Sequence, residues 1–198
     1  MYLLEIVGAI VGLIYLWLEY RASIYLWAAS IVMPAIYLFV YFDAGLYADF
    51  GINVYYLVAA LYGWAVWMYH DRKATKEQEG TKQEKGLPIT HIAGKYALPC
   101  GVVAVVAFGL IWWVLSTYTD SDVAVWDAFT TALSVIGMWM LSRKYLEQWL
   151  VWIVVDVASV GLYCYKGLFF TAALYGVYAI IAIFGYIKWK EMMYDARI

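Results

Sequence analysis

The sequence predicts an all-α membrane protein: seven transmembrane helices, arranged as three, one and three (3+1+3) with the two triplets as parallel repeats. Three observations carry this. Of 198 residues, 66% are hydrophobic and 14% charged, which is more apolar surface than a soluble chain of this length hides in a core. The apolar residues gather into stretches of roughly 17 to 25 residues, the length a bilayer requires. The chain also matches itself without a gap at a shift of 122 residues. Trp17, Arg21, Trp27, Tyr41, Gly45, Leu46, Tyr56, Gly63 and Trp67 recur as Trp139, Arg143, Trp149, Tyr163, Gly167, Leu168, Tyr178, Gly185 and Trp189. Ile14, Ile31, Val32 and Ala60 recur as Ile136, Ile153, Val154 and Ala182. Chance identities favour common residues; this set favours Trp, Tyr, Gly and Arg, so it reads as an internal duplication.

The first helix is expected over Tyr2–Tyr20. It has no basic start and no small-residue cleavage site, and its repeat partner lies mid-chain, so it reads as a mature helix. The second, Ile24–Phe42, holds Pro34 at its middle, where a proline interrupts the hydrogen-bond ladder and offers a hinge. The third, Ile52–Met68, completes a first repeat over residues 1–70. Residues 71–95 are charged, lack hydrophobic periodicity and read as a cytoplasmic linker. The fourth helix, Tyr96–Thr117, spans a linking segment over 96–118. Val125–Leu141, Trp149–Tyr165 and Phe169–Trp189 make the second repeat, within 119–198. Two fused repeats of three crossings each would point in opposite directions; the extra helix restores the direction. Gly45, Gly63, Gly167 and Gly185 read as turn and close-packing positions.

Charge placement tests the count. With seven crossings, one face holds Arg21, Arg72, Lys73, Lys76, Lys82, Lys85, Lys95, Arg143, Lys144, Lys188, Lys190 and Arg197. The other holds only Lys166, together with Asp43, Asp49, Asp120 and Asp122. This asymmetry places the N-terminus outside and the C-terminus in the cytoplasm.

Several classes of function are disfavoured. A net charge of −2 argues against a nucleic-acid partner. Cys100 and Cys164 fall in apolar spans and read as buried thiols; no metal-ligand spacing is present, and no metal or cofactor is expected. There is no phosphate-binding loop motif. His70 and His91 lie in or beside the linker, and Ser134 and Ser159 have no nearby His, so they read as bonding to helix backbone or a neighbouring helix. An enzyme is therefore not expected.

The residues that fit a ligand are polar or aromatic and lie within the spans. Asp156 is the acid clearly inside a span; burying a carboxylate in lipid costs several kcal/mol, so it should face a cavity or a partner. Its repeat equivalent is Pro34. The bland alternative is a hydrogen bond to a Tyr or Trp inside the bundle. On the third helix Asn53 and Tyr56 share a face, continued by Gly63 and Trp67. Asn53 is equivalent to Tyr175, and Tyr56 to Tyr178. Trp64, Trp152 and Tyr163 join these as candidate substrate-binding residues. Aromatic groups lining both halves would box a flat ring, and a cationic one best, through cation–π attraction. Trp67 and Trp189, near helix ends, read as belt or packing residues, and Glu5 and Asp127 as exposed charge.

Three segments resemble the PnuC family of bacterial vitamin transporters: Asn53-Val-Tyr-Tyr with Tyr62-Gly-Trp-Ala-Val-Trp67; Arg143-Lys144 with Glu147-Gln-Trp149; and Leu162-Tyr-Cys-Tyr-Lys-Gly167-Leu-Phe-Phe-Thr171, followed by Leu174-Tyr175 and Gly185-Tyr-Ile-Lys-Trp189. The resemblance spans nearly the whole chain outside the linker. It implies a SWEET-like fold in the bacterial inner membrane and facilitated diffusion of unphosphorylated nicotinamide riboside, which a cytoplasmic kinase then traps downstream. Related members carry thiamine (the PnuT group) or riboflavin, and the Asp156 segment and the Tyr47-Ala-Asp49-Phe-Gly51 run look at least as much like the thiamine group. The cationic rings of nicotinamide riboside and thiamine suit an aromatic cage with one carboxylate. The lack of a basic cluster inside the membrane argues against phosphorylated substrates. The rivals are a SWEET-type carrier of neutral sugars and a membrane sensor that binds without translocating; a homo-oligomer stays open.

Overall fold

The computed structural model describes residues 2–43, 47–77, 86–119 and 121–196. Among these are seven α-helices: α1 (Tyr2–Tyr20), α2 (Leu26–Asp43), α3 (Tyr47–Glu77), α4 (Ala97–Tyr118), α5 (Ala124–Ser142), α6 (Gln148–Tyr165) and α7 (Phe169–Asp195). Among the described residues, five stretches are long and apolar enough to cross a membrane: Phe50–Lys73, Gly94–Tyr118, Ala124–Ser142, Gln148–Tyr165 and Phe169–Asp195. α1 and α2 hold the shorter apolar stretches Ile10–Tyr20 and Leu26–Ile36. Gly45, Leu46, Asp120, Arg197 and the linker stretch 78–85 lie outside the described residues, as do the side chains of Glu5, Asp43 and Asp49.

Two helices run further than expected. α3 continues through His70 to Glu77, into the segment read as linker, and α7 continues to Asp195. Hydropathy ends where charge begins, but a helix need not. Arg72, Lys73, Ala74, Lys76 and Glu77 are good helix formers, and the next breaker is Gly80. α2 runs unbroken across Pro34, the site of the expected hinge.

The chain forms two compact units. The first comprises residues 1–89, 142–144 and 192–198; the second comprises 90–141 and 145–191. In the first, α2 packs on α3 and α1 on α2. Its core is a tryptophan corner. Trp27 and Trp67 are almost fully buried and meet edge to face, with ring centroids 5.5 Å apart and planes at 89°. The Trp27 indole fills the space that a Cβ on Gly63 would need, which is why that position is glycine. The Trp67 indole nitrogen donates to the Ser142 carbonyl at 3.2 Å.

The second unit contains the same corner. Trp149 and Trp189 are fully buried, 5.6 Å apart at 89°, and the Trp149 ring lies 2.6 Å from where a Gly185 Cβ would stand. These are the equivalents of Trp27, Trp67 and Gly63, so the duplication read in sequence recurs as a packing unit. Ala60 and Ala182, another equivalent pair, are both buried in its flank. Ala22 (φ 48°) and Lys144 (φ 51°), also equivalent, both take the left-handed conformation just after α1 and α5.

Part of the linker is held down. Residues 86–96 run as a strap, and in the second unit its Thr90 bridges to Tyr145 and accepts from the Leu146 backbone at 2.9 Å. The Glu147 carboxylate faces the His91 Nδ1 at 2.7 Å and accepts from the Ile92 backbone at 2.9 Å. α4 buries none of its residues; side chains such as Leu98, Val105 and Tyr118 stand at least 70% exposed, an apolar surface suited to lipid.

Candidate substrate site

α6 and α7 each lay a stripe of large residues along one face. On α6 it runs Trp149, Trp152, Asp156, Ser159 and Tyr163, at spacings of three and four that keep one side of a helix. On α7 it runs Tyr175, Tyr178, Ala182, Gly185 and Trp189. The two helices meet antiparallel along these stripes. Trp149 closes on Trp189 at one end, and Tyr163 stacks on Tyr175 at the other, centroids 5.1 Å apart and planes at 26°. Tyr175 in turn meets Tyr178 edge to face at 5.6 Å.

Asp156 lies between these ends. It is only 6% exposed, and Tyr178 lies within electrostatic reach of its carboxylate. No Lys, Arg or His pairs with Asp156 among the described residues. One turn earlier, the Trp152 ring packs against Gly137 of α5, 3.2 Å from the Cβ position there. Its indole nitrogen is buried with no acceptor among the described residues. A buried acceptor and a buried donor one helical turn apart, next to a ladder of tyrosines, are what a polar aromatic ligand needs. Ser159 is buried on the same stripe, one turn beyond Asp156. Four of the expected site residues (Asp156, Tyr163, Tyr175 and Tyr178) thus come together, with Trp152 alongside.

The first unit holds the other expected residues on α3. Asn53 and Tyr56 are half-buried, and the Tyr55 and Tyr56 rings touch at 5.6 Å. The expected rotation of α3 is found: Ala60, Gly63 and Trp67 continue the face of Asn53 and Tyr56 and are buried. Trp64 is 42% exposed. Trp67 and Trp189 are core packing rather than interfacial belt. Ser134 donates to the Thr130 carbonyl at 2.8 Å, as expected of a serine serving its own helix. Asp127 is half-buried and accepts from Ser121 at 3.2 Å, so it is more a local anchor than a free surface charge. The two thiols are not buried: Cys100 is half-buried and Cys164 exposed, because α4 packs little and Cys164 sits off the packed stripe of α6.

Glu19 was not singled out by the sequence reading. It is 1% exposed at the end of α1 and hydrogen-bonds Tyr15, which also bonds Ser30 of α2. The sequence signal was weak. A glutamate in the last turn of an apolar helix reads as interfacial, and its repeat equivalent is the apolar Leu141.

Comparison with known proteins decides the family. Residues 2–191 match the family model described as nicotinamide mononucleotide transporter. The chain belongs to this family. The nicotinamide riboside transporter PnuC of Escherichia coli (strain K12) is 24% identical over 210 residues, covering 94% of this chain and 84% of that protein. The riboflavin/roseoflavin transporter RibM of Streptomyces davaonensis is 28% identical over 193 residues, covering 93% and 83%. The crystal structure of the vitamin B3 transporter PnuC superposes with a TM-score of 0.70 at 20% identity, covering 96% of this chain and 81% of that one, so the fold is shared. The chain is a multi-pass membrane transporter of the vitamin-carrying type, not an enzyme.

Proposed function

We propose that this chain takes up an unphosphorylated, cationic B-vitamin, nicotinamide riboside or thiamine, by facilitated diffusion with alternating access. One observation carries the reading: a buried carboxylate, Asp156, flanked by Tyr163, Tyr175, Tyr178 and Trp152. A carboxylate inside a membrane protein is expensive unless a cation or donor meets it. Stacked phenols offer ring faces that attract a flat cation. The relatives named above carry nicotinamide riboside and riboflavin; riboflavin is neutral and would leave the carboxylate without a counter-charge. In this reading Asn53, Tyr56 and Trp64 contribute from the first repeat and Pro34 serves as a hinge. The repeats are parallel in a seven-helix, SWEET-like 3+1+3 arrangement, supported by the recurrence of the tryptophan corner. The basic loops place the C-terminus in the cytoplasm of a bacterial inner membrane. A cytoplasmic kinase would consume the imported vitamin without touching the transporter.

Calorimetry with nicotinamide riboside, thiamine and riboflavin on purified protein tests the ligand, and counterflow in proteoliposomes tests transport. Tight binding of one cationic vitamin with counterflow supports the reading. Preference for riboflavin would transfer the site to a neutral flat ring. Binding without counterflow would indicate a sensor, and counterflow of neutral hexoses a sugar carrier. Asn53→Ala and Tyr178→Phe are expected to lower uptake while leaving the amount of folded protein unchanged. Normal uptake by both would put the pore elsewhere.

A further inference from the structure

α6 begins with Gln148, which is fully buried. Neither its amide oxygen nor its amide nitrogen has a hydrogen-bond partner among the described residues. Its repeat equivalent is Leu26, the first residue of α2, which is fully buried too. The corner therefore accepts an apolar side chain, and its packing does not require an amide. The contrast extends one turn along each helix. Ser30, four residues after Leu26, donates to the Leu26 carbonyl at 3.0 Å. Trp152, four residues after Gln148, has a buried indole nitrogen with no acceptor among the described residues. Trp27 and Trp149 carry orphaned indole nitrogens alike, so that feature belongs to the duplicated corner. The orphaned amide belongs to the second copy.

A buried amide left without partners costs more than a made hydrogen bond gains. Here the cost falls on one conformation. Once the first turn of α6 parts from its neighbours, water reaches both amide atoms and the cost is gone. The outer side of the same turn is tied to the strap. Thr90 accepts from the Leu146 backbone, and the Ile92 backbone donates to Glu147, the residue before Gln148. The closed arrangement is thus latched on one side and penalised on the other, which is how a two-state element is built.

We propose that the start of α6 is a gate of the transport cycle, and that Gln148 is the residue that favours its opening. This rests on the alternating access proposed above. In the proposed orientation the gate lies at the cytoplasmic end of the second repeat.

The test removes the amide while keeping an apolar side chain in the corner. In Gln148→Leu, Tm should rise, and backbone hydrogen exchange over residues 149–152 should slow about tenfold, the population shift expected for one unsatisfied buried group. Counterflow in proteoliposomes of the vitamin that the parent protein carries should slow by a similar factor. A merely structural glutamine gives the opposite sign: Tm falls and exchange accelerates. Gln148→Met, unbranched and close in length, repeats the measurement should Leu not pack. Leu26→Gln places the same amide in the first repeat, and it should lower Tm and accelerate exchange at the start of α2. A lower Tm in both Gln148 variants, or exchange in α6 that does not slow, would overturn the gate. So would a more than tenfold loss of vitamin affinity with unchanged exchange, which would make Gln148 a ligand contact instead. Slowed exchange with counterflow at the parental rate would sink the gate alone, whereas no counterflow by the parent protein would sink the transport reading itself.

Discussion

Asp156 shows how a residue can be kept against its own cost. An aspartate at the centre of a membrane helix is disfavoured by roughly 2.5–3.5 kcal/mol. Among the described residues, its surroundings are tyrosine rings and an indole without an acceptor, not a basic side chain. Removing the charge should therefore help the fold and harm the function. Asp156→Asn is expected to leave Tm unchanged or raise it, while weakening a cationic vitamin about tenfold or more and a neutral flat ring little. Calorimetry beside thermal unfolding measures both; equal affinity of mutant and parent for the cation would remove Asp156 from the site. Asp156 stands out in sequence because an acid inside a long apolar run must meet a cavity or a partner, and the structure buries it beside Tyr178. Glu19 does not stand out, although it is more deeply buried. At a helix end, the same residue type is solvated or buried according to what packs over it, and here Tyr15 and α2 decide that.

At the level of elements, the duplicated tryptophan corner sets how closely α2 approaches α3, and α6 approaches α7. Gly63 and Gly185 allow an indole to lie against helix backbone. A single added methyl group has nowhere to go, because both rings are fully enclosed. Gly63→Ala and Gly185→Ala are each expected to destabilise the protein by about 1–3 kcal/mol, the usual cost of overpacking. Gly101→Ala on α4, where nothing lies within 4 Å, should be neutral or slightly stabilising. Melting temperatures of the three variants in one detergent check the contrast. The strap has a similar test. Glu147→Ala removes the acceptor of the Ile92 amide, so hydrogen exchange at Ile92 should accelerate while that of the α6 core stays slow. The positions of all seven helices were readable from apolar run length. The ends of α3 and α7 and the docking of the strap were not. Polar helix formers leave no hydropathy signal, and the strap is held by one carboxylate and a few backbone bonds without periodicity.

Across the whole molecule, charge is the feature on which the proposed orientation in the membrane rests. Twelve of the 13 Lys and Arg residues fall on one side of a seven-crossing arrangement, and the acids Asp43, Asp49, Asp120 and Asp122 on the other. A single span missed or invented between Arg21 and Lys188 would mix the two sets. The alternation thus bears on the number of crossings as well as on their direction. Long helices extended by charged turns add to the argument. The polar ends of α3 and α7 carry Arg72, Lys73, Lys188 and Lys190, and cations anchored beyond an apolar span stay on the side where they are synthesised. With Cys100 and Cys164 replaced by serine, a cysteine introduced at Ser121 or Lys166 should react with a membrane-impermeant maleimide in intact cells. One introduced at Lys76 or Lys190 should react only after the membrane is opened. Labelling of Lys76 and Lys190 sites from outside would invert the topology; labelling of one but not the other would break the seven-crossing count, because α3 and α7 must then end on opposite faces.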